Sequence, residues 1–201
     1  MTFAPLTDAE WPAEIADMRD GFAGQLNVYR LMAHHPALLR AWTDLRMHIV
    51  RDTALGRQRA EVVILRLAYR LGSDYEWGQH VIRGLEAGLS EAQIRSLRGP
   101  VAEMAEDDAL LAGAVDSLFD EARLAPEQMH ALEALVGRHG VLDLMATAGM
   151  YLTLGFLLNS TQSPLNSTQS PQDDAIARRL AGLPESLKLT GSEVQTLQVV
   201  S

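Results

Sequence analysis

The chain predicts an all-α fold, and three observations carry that prediction. Apolar residues recur at helical spacing nearly throughout, strand alternation is nowhere sustained, and capping signals punctuate the helical runs. With 201 residues, 47% of them hydrophobic and 21% charged, the sequence suits one sizeable globular domain.

The elements follow in order. Thr7-x-x-Glu10 reads as a capping-box start, with Pro12 early enough in that helix to be tolerated. A second helix fits Gln25 to His34 and stops before His35-Pro36. A third carries Leu38, Leu39, Trp42, Leu45, Ile49 and Val50 at helical spacing. Arg57 to Leu71 holds Val62, Val63, Leu65, Leu67, Ala68 and Leu71, too apolar for a surface helix, and is expected at the centre. Ser73 caps the next helix, which ends near Gly84 to Gly88, and Ser90-x-x-Gln93 caps a short one. Further helices fit Asp107 to Ala122, Pro126 to Arg138 and Val141 to Leu158. The apolar stretch Leu144 to Leu158 is too short to span a bilayer and reads as a buried helix.

After Leu158 the composition changes. The heptad Leu158 to Pro164 is repeated directly as Leu165 to Pro171. It reads as a loop or flexible linker, or equally as a duplication that a loop tolerates. A short helix fits Asp173 to Leu183, and the end from Lys188 is read as packing on a partner or staying loose. The chain thus divides into an N-terminal helical segment (1–24), a core (25–160), a repeat linker (161–172) and a C-terminal tail (173–201).

A net charge of −9 argues against nucleic acid or an anionic membrane as partner, since both need a basic footprint. Cysteine is absent, which excludes disulfides, thiolate nucleophiles and cysteine metal sites. Met1 to Leu6 has neither the basic region nor the apolar core of a signal peptide, so a cytoplasmic protein is expected. There is no Gly-x-Ser-x-Gly, phosphate-binding loop or dinucleotide fingerprint.

The densest chemistry lies in Ser73-Asp74-Tyr75-Glu76-Trp77-Gly78-Gln79-His80, with Glu61 twelve residues ahead of Ser73. Ser73-x-x-Glu76 is itself a capping box, which gives both residues a structural explanation beside any chemical one. His80 follows Glu76 by four residues, so the two share a helix face. A carboxylate beside an imidazole fixes its tautomer and raises its pKa, the wiring of a general acid–base pair. The plainer alternatives are a surface ion pair or a core histidine on a backbone carbonyl. Glu61, inside the apolar run Ala60 to Leu65, either faces solvent or is buried and needs a partner. If its helix and the next form a hairpin, it reaches His80. Tyr75 and Trp77 leave different faces, one for a pocket and one for the core. Glu-x-x-x-His occurs here once, whereas helical di-iron sites use Glu-x-x-His twice, so no metal is expected.

The spacing Glu-x11-Ser-x2-Glu-x3-His resembles the active-site pattern of the alkylhydroperoxidase D and carboxymuconolactone decarboxylase superfamily. Three further stretches resemble it in register: Arg59 to Arg66, Ala87 to Ile94, and Asn27 with Arg30 to Pro36. Tyr75-Glu76-Trp77-Gly78-Gln79-His80 is similar to a cysteine-free clade carrying Tyr-Glu-Trp-x-x-His. The resemblance spans about 25 to 160 and implies an all-α, single-domain helical bundle of that type. By resemblance, the peroxidase branch uses a glutamate, a histidine and two cysteines. Glu61 and His80 fall on the relay, Ser73 and Glu76 on the cysteines. Serine cannot be oxidised as a thiolate is, so thiol peroxidase activity is not expected. The decarboxylase branch is cysteine-free and cofactor-independent, although Glu76-Trp77 departs from its local sequence. Members often carry a Tyr-His pair in the last core helix, where Gly149-Met150-Tyr151-Leu152 keeps only Tyr151.

The expectation is a cofactor-independent decarboxylase, lyase or isomerase acting on a small organic acid, lactone or carbonyl compound. His80, Glu61 and Glu76 are the candidate catalytic residues, and Trp77, Tyr75 and Tyr151 the candidate substrate contacts. No cofactor is expected. The alternatives are a non-catalytic helical binding or assembly protein and a metal-dependent enzyme. The apolar helices and the resemblance both imply a homo-oligomer.

Overall fold

A computed structural model describes residues 3–161 and 170–189, which are helical, with no β-strand among them. Short helices α1 (Ala16–Arg19), α2 (Phe22–Gln25) and α3 (Asn27–Met32) lead into α4 (Pro36–Met47). Then come α5 (Arg57–Leu71), α6 (Asp74–Glu86), α7 (Glu91–Ser96), α8 (Glu106–Glu121), α9 (Pro126–Thr161) and α10 (Pro171–Ala181). The central position belongs to α5, which packs against α6, α8 and α9. Every residue from Ala60 to Ala68 is buried, so this helix has no solvent face along its middle.

Two polar residues in that stretch need partners, and both have them. Arg66 donates to both carboxylate oxygens of Asp116 on α8, at 2.9 and 2.6 Å, and to the carbonyls of Leu97 and Gly99 at 2.8 and 2.9 Å. Glu61 turns the other way, toward α6.

The turn from α5 to α6 sets the site. Gly72 takes the left-handed conformation (φ 59°) and ends α5 in a Schellman motif. Its N–H donates to Tyr69 and the Ser73 N–H donates to Ala68, each at 3.0 Å. The Ser73 hydroxyl accepts from the Glu76 N–H, so Ser73 does cap α6. The reciprocal half of the expected capping box is absent. The Ser73 N–H is already spent on α5, and the Glu76 side chain is released from capping. At Ser90 the box closes in both directions.

Elsewhere the elements differ from the sequence pattern in instructive ways. The Glu10 carboxylate accepts from the Thr7 N–H and hydroxyl, but this forms a separate turn, and helix begins only at Ala13. Pro12 is extended and disfavours helix in the residue before it. The expected pair of helices after Pro126 is one element broken at a single residue, Gly137, where φ 70° and ψ 172° suit glycine alone. An apolar 18-residue window of α9 is 56% buried, and Leu144, Ala148, Tyr151, Leu154 and Leu158 pack into the core. At Gly155 a Cβ would sit 2.6 Å from Leu71 Cδ1, so glycine lets α9 approach α5 closely. The outer face of α9 leaves Leu142 (63%) and Phe156 (61%) exposed.

The ends fold onto the same core. Trp11, Ile15 and Met18 of the N-terminal segment are buried in it. Of the repeat, Leu158 to Thr161 finish α9 and Ser170-Pro171 begin α10, while 162–169 lie outside the described residues. Helix α10 packs on α6, and Leu187 beyond it is fully buried. Lys188 is tied to the core by its carbonyl, which accepts from Arg98 at 3.1 Å, rather than lying loose. Residues 190–201 lie outside the described residues.

Candidate active site

The α5–α6 hairpin brings Glu61, Glu76 and His80 together. His80 Nδ1 lies 2.7 Å from Glu61 Oε2, and His80 Nε2 lies 3.5 Å from Glu76 Oε2. All three are buried: His80 is 2% exposed, Glu76 4% and Glu61 8%. Tyr151 from α9 completes the cluster, its ring edge-on to the imidazole at 5.1 Å and 82°. Glu61 comes from one helix, Glu76 and His80 from successive turns of the next, and Tyr151 from a third.

Two acceptors flanking one imidazole favour its protonated form. A neutral ring that donates from Nδ1 to Glu61 points a bare Nε2 lone pair at Glu76, acceptor against acceptor. An imidazolium donates to both. Burial is the largest influence on His80 and opposes its charge, but the charge and hydrogen bonds of Glu61 and Glu76 outweigh it. The net effect holds the His80 pKa above its ordinary value of 6.5. Each ring nitrogen faces a different carboxylate, so no single nitrogen joins both acids around one ion. Among the described residues no group of three His, Asp or Glu is arranged to hold a metal.

Glu76 Oε1 is buried without a hydrogen-bond partner among the described residues. A buried acceptor left unpaired is costly, so this oxygen is an opening for a small donor such as a water in the recess beside it.

Two cavities meet at His80. One is a recess of about 10 Å³ reaching Tyr29, Tyr75, Glu76, Gln79 and Tyr151, room for roughly one water. The other is a cleft of about 330 Å³ that opens outward past Glu61, His80, Arg83 and Tyr151. Only the cleft has room for an organic substrate. Its walls carry Arg46, Arg51, Arg57 and Arg83 against Glu61 and Glu86. The Arg46 guanidinium stacks over Phe22 at 4.0 Å, and its Nε is buried without a partner. The cleft wall formed by the π-helical turn His48–Asp52 is pinned to α9: His48 Nε2 lies 2.7 Å from Asp143 Oδ1, and the Ala54 N–H donates to Asp143 Oδ2 at 2.6 Å.

The candidate substrate contacts separate. Tyr151 lines both cavities. Burial pushes its hydroxyl pKa well above 10, so it stays a neutral phenol. Tyr75 borders the recess, but its hydroxyl is committed to Asp173 at 2.7 Å. Trp77 lines neither cavity. It is buried on the other side of α6, where its indole N–H donates to the Leu187 carbonyl at 2.7 Å. Trp77 is thus a core residue that fastens the C-terminal segment, because successive positions on a helix diverge by about 100°.

Sequence reasoning missed Asp173. This residue on α10 is fully buried and accepts from the Asn27 N–H at 2.7 Å, the Tyr75 hydroxyl and the Gln79 side-chain amide. Burial, opposed by the hydrogen bonds from Asn27 and Tyr75 and by the charge of Arg83, pushes its carboxyl up to about 6. Ser170-Pro171-x-Asp173 carries the ordinary signature of a helix start, and that is the one signal that marked the spot. The structure uses it differently: the Ser170 hydroxyl donates to Asn27 Oδ1 at 2.5 Å, and Asp173 turns into the core.

The model of the carboxymuconolactone decarboxylase family matches residues 36–115. That span contains Glu61, Glu76 and His80, but neither Tyr151 nor Asp173. No curated protein matches the chain.

Proposed function

We infer, for a chain whose residues 36–115 belong to the alkylhydroperoxidase D and carboxymuconolactone decarboxylase superfamily, a cofactor-independent proton-transfer enzyme acting on a small organic acid, lactone or carbonyl compound. One observation carries the reading: a buried histidine, flanked by two carboxylates that raise its pKa, borders a cleft with room for a small molecule. The competing reading, a non-catalytic binding scaffold, would be favoured by a solvent-exposed His80 with no cavity beside it. A His80 exposed by only 2% beside a 330 Å³ cleft supports catalysis instead.

The arginines narrow the substrate class. Four guanidinium groups around the cleft favour an anion, and an acid over an uncharged carbonyl compound. Arg83 and Arg46 hold and neutralise its carboxylate or developing enolate. The imidazolium of His80 delivers the proton from Nε2, the nitrogen facing Glu76. In a decarboxylation, the C–C bond to the departing carboxylate breaks, its electron pair stays on the adjacent carbon, and His80 protonates that carbon as CO₂ leaves. In an isomerisation the imidazolium first protonates one carbon, and the bared Nε2 then takes a proton from a neighbouring carbon, which restores the imidazolium. Glu61 holds Nδ1 throughout, which fixes the tautomer once Nε2 is bare. No step uses a thiol, and the sequence has none.

The test is turnover on a panel of small carboxylic acids and lactones, followed by NMR in D₂O for CO₂ loss and for deuterium incorporation. The wild type is expected to turn over at least one acid, and His80→Ala to lose roughly a hundredfold to ten-thousandfold of that rate with its fold intact. Equal turnover by a folded His80→Ala contradicts the reading.

A further inference from the structure

We propose that Asp173, on α10, is a positioning residue that holds Arg83 in place beside His80 by way of Gln79. The contacts form a continuous chain. Asp173 accepts from the Gln79 side-chain N–H, and Gln79 Oε1 accepts from Arg83 Nη2 at 2.9 Å. The amide of Gln79 is used in one sense only. Flipped, it would aim its oxygen at a carboxylate and its N–H at a guanidinium, turning two attractions into two repulsions. The acid at 173 therefore fixes which end of Gln79 faces Arg83.

Docking α10 does not account for a carboxylate here. Asp173 is fully buried and makes no ion pair with Lys, Arg or His among the described residues. A neutral side chain would dock the helix at a lower desolvation cost. Instead three donors converge on it, Asn27 from α3 and both Tyr75 and Gln79 from α6. Tyr75 and Gln79 lie one turn apart on α6, each immediately before one of the pair Glu76 and His80. Asp173 thus grips one stripe of the helix while the adjacent stripe forms the site. The residue beside it, Gln172, lines the cleft.

Arg83 is worth holding. It borders both the recess and the cleft, and its charge opposes protonation of His80. Cut from Gln79, Arg83 keeps the charge attraction of Glu61 and Glu76 but loses its directional hold, and a long flexible side chain at an open cleft gains freedom by swinging to water. The consequence for catalysis rests on the reading of His80 as the proton-transfer group, but the test does not.

The measurement is the titration midpoint of His80, followed by NMR on the full chain with labelled imidazole. In Asp173→Leu, which offers Gln79 no acceptor, the released Arg83 no longer opposes the imidazolium, and the midpoint rises by about half a pH unit. In an Arg83→Met background the same Asp173→Leu change moves nothing further. Gln79→Met cuts the chain without touching Asp173, reproduces the rise, and serves if Asp173→Leu fails to fold. An unchanged or lowered midpoint in a folded variant, or an equal shift in both backgrounds, overturns the proposal. Turnover plays no part in this readout, so failure of the proposed reaction is recorded separately.

Discussion

Glu61 Oε2 lies 2.7 Å from His80 Nδ1 across the α5–α6 hairpin, with both side chains largely buried beside the cleft. The relationship is produced by the turn between the helices. Gly72 ends α5 sharply enough that α6 returns alongside it, and the capping geometry leaves Glu76 on the far side of the same imidazole. The site is therefore a consequence of one short connection.

The first prediction concerns Glu61→Gln. His80 binds its proton more tightly in the folded chain than at 6.5, its ordinary value. The stability this brings is fully present below pH 6.5 and is lost as pH rises through the raised folded value. Glu61→Gln removes most of it. The melting-temperature gap between wild type and variant is expected to be widest on the acid side of neutrality and to narrow toward alkaline pH. A gap independent of pH contradicts this.

The second concerns Asp173, with the opposite kind of group and the same direction of pH dependence. Its carboxyl is pushed from 3.8 to about 6, so the fold favours the protonated acid. Stability is present at low pH and is lost as pH rises from the unfolded to the folded value. The loss is on the order of 3 kcal/mol at one pKa unit per 1.36 kcal/mol. Asp173→Asn does not ionise. Relative to wild type, its urea-unfolding free energy is expected to improve across that interval. A constant difference contradicts the account.

The third concerns Arg66, away from the site. Replacing it with Ala leaves two carbonyls without their donors, and leaves Asp116 with Arg70 alone at 2.9 Å, in a largely buried setting. The expected cost is about 3 kcal/mol, measured by chemical denaturation. A loss below about 1 kcal/mol would place Arg66 among exposed pairs of little value.

The fourth concerns Trp77, which the structure removes from the substrate contacts. Trp77→Phe loses the bond to Leu187 and some packing volume, so stability is expected to fall by about 1–2 kcal/mol. Turnover per folded molecule is expected to be unchanged. A large drop in turnover at unchanged stability would return Trp77 to the site.

Local patterns were legible, and long-range ones were not. The buried run of α5, the break at Gly72 and the serine caps at Ser73 and Ser90 follow from periodicity and capping chemistry. The approach of Glu61 to His80 needed only the assumption of a hairpin. Whether Glu76 capped or faced His80 turned on the Ser73 N–H, and that donor was already committed by the Schellman turn, a geometry running from Ala68 to Ser73 that the pattern Ser-x-x-Glu does not encode. Asp173 lies nearly a hundred positions from Tyr75 and Gln79, so no spacing rule connects them. The sequence marks it only as an acid in a helix's first turn.

The central claim is that two carboxylates keep His80 as a proton carrier, and the NMR titration of His80 in the wild type tests it most directly. The account predicts a midpoint above 6.5 that falls in both Glu61→Gln and Glu76→Gln. A midpoint at or below 6.5 that neither substitution moves would contradict it.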